Sequence, residues 1–236
     1  MRVALLISLA AATQLVACTQ SGQQSSTPKT EDEKALYAMG AMLAENLLTF
    51  DLTDQELAMV KSGLADGAKS NSQLKPADIE ALIPKIRELQ TTRVGAARER
   101  EKTAGTEFLA KAAAEAGATK SESGMVFKSV KEGDGATPAA TDTVKVHYEG
   151  RLVSGKVFDS SRERNEAATF PLNGVIECWT EGLQKMKVGG TAQLVCPPEM
   201  AYGEEGRPPQ MPGNATLIFD VELLEIVKEE AAPAAP

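Results

Sequence analysis

Few side chains in this 236-residue chain have the types that do covalent chemistry. His147 is the only histidine, and it sits in Val144-Lys145-Val146-His147-Tyr148-Glu149. Apolar and polar residues alternate there, so Val144, Val146 and Tyr148 face one side of a strand and His147 shares the polar side with Lys145 and Glu149. That placement makes it a poor metal ligand or general base, and no metal site is expected. The cysteines are three, Cys18, Cys178 and Cys196. The only tryptophan, Trp179, lies in Val175-Ile176-Glu177-Cys178-Trp179-Thr180-Glu181-Gly182-Leu183-Gln184-Lys185-Met186. Ile176, Trp179, Leu183 and Met186 recur on one helical face, bounded by Gly174 and Gly189-Gly190. A short helix among strands reads as a plug across a curved antiparallel sheet. Trp179 is then either ordinary core or the floor of a cavity, and the chemistry open to it is binding of an apolar group.

The elements that must position this helix follow it and precede it. Thr191 to Cys196 is a strand with Ala192, Leu194 and Cys196 on one face. Ala215 to Ile226 is the last strand run, with Leu217, Phe219, Val221 and Leu223 on one face. Pro197 to Gly213, rich in Pro and Gly, reads as a long functional loop. Trp179, two of the three Tyr and four of the six Phe lie after residue 126, which points to a core-rich C-terminal domain.

The segment from Glu31 to about Ala116 has almost no strand signal. Leu36, Gly40, Leu43 and Leu47 share a helical face, with Met39 beside them. Thr53-Asp54-Gln55-Glu56 is a capping box that opens a helix carrying Leu57, Val60 and Leu64 and ending near Gly67. Pro76 suits a first helical position, and the third helix carries Ile79, Leu82, Ile83, Ile86 and Leu89. Pro84 is expected to kink it. Arg93 to Lys102 alternates in charge with few large apolar residues, which reads as a solvated connecting rod. The short helices are too small to cover their apolar stripes alone, so either a second copy covers them or the three form a monomeric bundle.

The N-terminus reads as an address. Met1-Arg2 precedes the apolar run Val3 to Ala12, too short to span a membrane as a mature helix. Leu15-Val16-Ala17-Cys18 resembles the bacterial lipobox, in which the cysteine is lipidated and becomes the mature N-terminus; the alternative is a plain secretory signal. Thr19, not Asp, follows, which by resemblance to the usual sorting pattern implies the outer membrane. Thr19 to Thr30 is a polar tether. The net charge of −8, with no basic stripe, excludes nucleic acid as the expected partner.

Five motifs then occur in order: Val146-His147-Tyr148-Glu149-Gly150, Gly155-Lys156-Val157-Phe158-Asp159-Ser160-Ser161, Val175-Ile176 with Trp179, Ala201-Tyr202-Gly203, and Ala215 to Leu223. From about Gly124 to Ile226 the chain resembles an FKBP-type peptidyl-prolyl isomerase. With the preceding helices and lipobox, it is similar to the Mip/FkpA-like subgroup of bacterial envelope proteins. The resemblance implies an α+β chain: an all-α dimerisation domain with a long connecting helix, then a curved antiparallel half-barrel wrapped on one short helix. The expected organisation is a signal peptide over 1–17, a tether over 18–30, helices over 31–120, the isomerase domain over 121–228 and a tail over 229–236.

The resemblance also implies roles. Trp179 would be the pocket floor, with Tyr148, Phe158, Val175, Ile176 and Phe219 as apolar walls. Asp159 would be the pocket carboxylate, Arg164 the arginine beside it, and Tyr202 the rim hydroxyl. Ala168 stands where the family often has an aromatic wall residue, and Arg207, Gln210 and Met211 occupy the tip of the loop after Tyr202. Ala168 and Met211 are expected to touch substrate. No cofactor is implied. The implied partners are proline-containing unfolded proteins, a second copy of the chain, the membrane through Cys18, and FKBP-directed macrolides. In the implied fold the elements bearing Cys178 and Cys196 pack together, so a disulfide between them is expected if Cys18 carries lipid; the alternative is two buried thiols. Two functions fit, an isomerase or a chaperone module that uses the pocket as a proline hook.

Overall fold

The structure, a computed structural model, describes residues 27–227. The expectations for the signal peptide, for Cys18, for most of the tether and for the whole tail lie outside those residues. The chain separates into two compact units, one ending at Ala41 and one beginning at Met42.

Helix α1 spans Glu31–Glu45. Thr30 Oγ1 accepts the Glu33 N–H at 3.2 Å, and the Glu33 carboxylate accepts the Thr30 N–H at 3.0 Å, so its first turn is closed by a reciprocal cap. Helix α2 spans Asp54–Ala68 and carries the expected Thr53–Glu56 capping box. Helix α3 runs from Pro76 to Ala113. It continues unbroken through Pro84, so the one lost hydrogen bond does not end it. The start of α2 is tied to α3: Arg93 donates to the Phe50 carbonyl at 2.8 Å and pairs with Glu56. That pairing and the Thr53 N–H hold the Glu56 carboxyl down at about 2.

Beyond Arg93 to Lys102, the stretch read as a solvated rod, the last third of α3 packs on the sheet. Gly105 and Ala112, seven residues apart and so on one face, are both buried. Ala112 packs with Val126, Val195 and Ile218 of the sheet, with Phe108 and Leu109 alongside. A Cβ on Gly105 would stand 2.3 Å from Thr216 Oγ1. Small residues let the helix lie this close, and they carry no hydrophobic signal in the sequence.

Seven antiparallel strands form one sheet. They are β1 (Ala118–Lys120), β2 (Val126–Lys131), β3 (Thr143–Leu152), β4 (Val157–Ser160), β5 (Ala168–Pro171), β6 (Thr191–Cys196) and β7 (Leu217–Val227). The order is β1-β2-β6-β7-β3-β4, and β5 pairs with β3 next to β4's stretch of the same strand. Val144, Val146 and Tyr148 of β3 and Leu217, Phe219, Val221 and Leu223 of β7 are buried, as their period of two requires. Helix α4 (Glu177–Leu183) crosses this concave face, shorter than the periodic stretch because Met186 follows it in a turn. Gly182 permits the crossing: a Cβ there would meet Leu194 at 2.7 Å. Cys178 of α4 and Cys196 of β6 are joined as a disulfide, Cα atoms 5.7 Å apart.

Candidate active site

Beside α4 the sheet leaves a cavity of about 490 Å³. Trp179, 4% exposed, is its centre. Three rings meet Trp179 edge to face: Tyr148 at 5.1 Å, Phe219 at 5.3 Å and Phe170 at 5.7 Å between centroids. Phe158 in turn meets Phe219 at 5.7 Å. Such T-shaped pairs fix ring orientations beyond what burial alone does. The rings come from β3, β4, β5, α4 and β7, so the concave sheet assembles residues far apart in the chain. Val175, Ile176 and Tyr202 complete the apolar wall. Ile176 is also the N-cap of α4, and its N–H has no acceptor among the described residues.

Gly150 lets Phe158 and Phe219 close over β3. A Cβ there would meet Phe158 at 2.7 Å and Phe219 at 2.8 Å. Ser161, fully buried, holds the strand beside Tyr148: its Oγ accepts the Tyr148 N–H at 2.8 Å. His147 Nδ1 contacts the same hydroxyl at 3.2 Å, and His147 does not line the cavity.

One carboxylate borders the cavity. Burial opposes ionisation of Asp159, but the Tyr148 hydroxyl and the Arg164 guanidinium both donate to it and outweigh burial. Its pKa therefore lies below the ordinary aspartate value. Burial and the bond to Asp159 push the Tyr148 hydroxyl up, and Asp159 holds Arg164 up. Asp159 is thus a fixed anion and Tyr148 a fixed donor. Neither is poised for proton transfer near neutrality. Among the described residues no group of three His, Cys, Asp or Glu side chains lies close enough to hold a metal ion.

The structure brings Tyr148, Phe158, Asp159, Val175, Ile176, Trp179, Tyr202 and Phe219 to one cavity, and Arg164 to its carboxylate. Two expected contacts lie elsewhere. Ala168 packs against the core and does not line the cavity; Phe170, two residues on and on the same face of β5, supplies the aromatic wall. Met211 is 8% exposed, belongs to the core beneath the loop and does not line the cavity. Arg207 does line the cavity. A second, smaller cavity of about 250 Å³ between α3 and the far side of that loop has no aromatic wall residue, and its Arg100 is already paired with Asp51.

Residues 135–224 match the family model for the FKBP-type peptidyl-prolyl cis-trans isomerase. Residues 32–128 match that of the domain amino terminal to it. The FKBP-type peptidyl-prolyl cis-trans isomerase FkpA of Escherichia coli K12 is 38% identical over 218 residues, covering 88% of this chain and 80% of that one. The peptidyl-prolyl cis-trans isomerase Mip of Coxiella burnetii is 33% identical over 213 residues, covering 87% and 91%. The crystal structure of FkpA from Escherichia coli superposes with a TM-score of 0.61 at 37% identity, covering 85% of this chain and 98% of that one.

Proposed function

This chain belongs to the FKBP-type peptidyl-prolyl cis-trans isomerases, and from that premise we propose that it accelerates X–Pro rotation in exported proteins by holding a twisted amide in the Trp179 cavity. The supporting observation is the ring set of Tyr148, Phe158, Phe170, Trp179 and Phe219 lining one cavity, whose one carboxylate is already paired with Arg164.

The barrier to rotation, about 18–20 kcal/mol, is the loss of amide resonance. Cis and trans X–Pro states are close in energy, so only that barrier matters. The twisted amide is less dipolar than the planar one. An apolar cavity therefore favours it relative to the ground state, and ring-lined shape holds the proline. The Ile176 N–H and the Tyr202 hydroxyl would hold the flanking carbonyls, and Asp159 with Arg164 would orient the mouth. A thousandfold acceleration needs about 4 kcal/mol, within reach of solvation and fit. No nucleophile or cofactor is required for this step. The test is exchange NMR on a short proline peptide: catalytic amounts of the protein should broaden or cross-link the cis and trans signals, and unchanged exchange would refute the reading.

The domain organisation implied by the resemblance is kept in this proposal, except that the helices end at Ala113 and Ala118–Lys120 joins the sheet as β1, so the boundary falls before residue 118 and not at 121. Leu36, Tyr37, Met39, Met42 and Leu43 of α1 are exposed, as are Met59 and Leu64 of α2 and Ile79, Ile83 and Ile86 of α3. Apolar exposure on this scale favours both a homodimer through these helices and a chaperone activity toward unfolded chains. A monomeric mass by light scattering would sink the dimer. No described helix is long and apolar enough to cross a membrane. Envelope anchoring is proposed through lipid on Cys18, outside the described residues, and intact-mass measurement of the processed protein tests it. Macrolides directed at this family should compete with peptide for the same cavity.

A further inference from the structure

We infer that Arg207 selects the charge of the residue beside the substrate proline, so that the cavity favours an acidic neighbour over a basic one. The inference rests on the Trp179 cavity being the isomerase site.

Arg207 lies on the cavity wall, with its guanidinium 4.6 Å from the centroid of the Tyr202 ring. A cation over an aromatic face is held there by the ring quadrupole. The backbone that carries it is braced. The Arg207 N–H donates to the Met211 carbonyl at 2.9 Å, and the Met211 N–H returns to the Arg207 carbonyl at 3.0 Å. Below them the Gly206 N–H donates to the Tyr202 carbonyl at 3.1 Å, and the Asn214 N–H to the Gly203 carbonyl at 2.9 Å. Gly206 has a φ of +67°, and a Cβ there would stand 2.4 Å from the Pro212 oxygen. Met211 is buried under this turn and anchors it. Arg207 therefore leaves a fixed point at the mouth of the cavity.

Its charge is free. Asp159 and Arg164, the other charges at the cavity, are paired with each other. Among the described residues no carboxylate makes an ion pair with Arg207, and the loop's own Glu204 and Glu205 are exposed and directed to no ion pair. A peptide whose proline rests on Trp179 must pass its adjoining side chains through this mouth. A carboxylate there meets an unpaired guanidinium, and an ammonium is repelled by it. The site is solvent-accessible, so the effect is modest and screened by salt.

Two peptide sets test this, with Glu, Gln or Lys placed either just before or just after the proline and kcat/KM read by exchange NMR. At low salt the Glu peptide should exceed the Lys peptide by about three- to tenfold in at least one set, with Gln between, and the ratio should shrink at high salt. In Arg207→Gln the ratio should fall to about one, and Arg207→Lys should keep its sign. Taking ratios within one protein cancels any change in folded fraction. A wild-type ratio near one, a ratio that survives Arg207→Gln, or a preference for Lys that assigns control to Glu204 and Glu205 would each overturn the inference. No acceleration of any peptide would instead refute the isomerase site itself.

Discussion

The Tyr148 hydroxyl donates its hydrogen bond to the Asp159 carboxylate, so the residue that walls the cavity also stabilises its carboxylate as an anion. This bond, with Arg164, sets the charge state of the site. A carboxyl whose folded pKa lies below its unfolded value contributes stability that is present above the unfolded value, here close to 3.8, and is lost as pH falls through the folded value. Tyr148 is displaced the other way, above 10.0.

The pH profile follows from those two directions. Neither group changes charge between pH 3.8 and 10.0, so kcat/KM should show no inflection from the pair across about pH 5 to 9. Asp159→Asn should lower the profile without reshaping it. A wild-type inflection in that range that vanishes in Asp159→Asn would mean that Asp159 moves a proton during turnover.

The approach of α3 to the sheet can be tested at two glycines of the same helix. Gly105→Leu forces a side chain onto Thr216 and should destabilise the fold by about 1–3 kcal/mol. Gly95 has nothing within 4 Å of where a Cβ would be, so Gly95→Ala should stabilise by up to about 1 kcal/mol through helix propensity. Urea midpoints report both. Equal and small shifts would show that the last third of α3 does not pack on the sheet in solution.

The cavity floor was legible because Trp179 sits in a periodic stretch between glycines, and the walls because β3 and β7 alternate cleanly. Phe170 was not, since β5 is only four residues long and too short to display a period. The alternation in Ala168-Thr169-Phe170-Pro171 places Ala168 and Phe170 on one face, and that two-residue offset is the sequence signal of this wall. Arg207 and Met211 read alike as loop-tip residues. Only the backbone pairing between them sends one side chain to the mouth and the other to the core. The docking of α3 was hidden for a physical reason: close approach needs Gly105 and Ala112, and small residues leave no hydrophobic stripe.

The Cys178–Cys196 bond closes a loop of sequence separation 18 and ties α4 to β6. On a chain-entropy estimate it contributes about 3 kcal/mol. Thiol titration of the denatured, unreduced protein should therefore find neither cysteine reactive, and reduction should lower the melting temperature while activity well below it persists. Two reactive thiols would show that the bond does not form.

The most direct test of the aromatic cavity as the seat of catalysis is the proline-limited refolding phase of an unrelated protein, followed with wild type and with Phe158→Ala. Phe158 lines the cavity from β4 and is only partly buried, so its truncation should leave the fold intact by circular dichroism. Wild type should accelerate the slow phase in proportion to its concentration, and Phe158→Ala should lose most of that acceleration. Equal acceleration by a soundly folded Phe158→Ala would contradict the account.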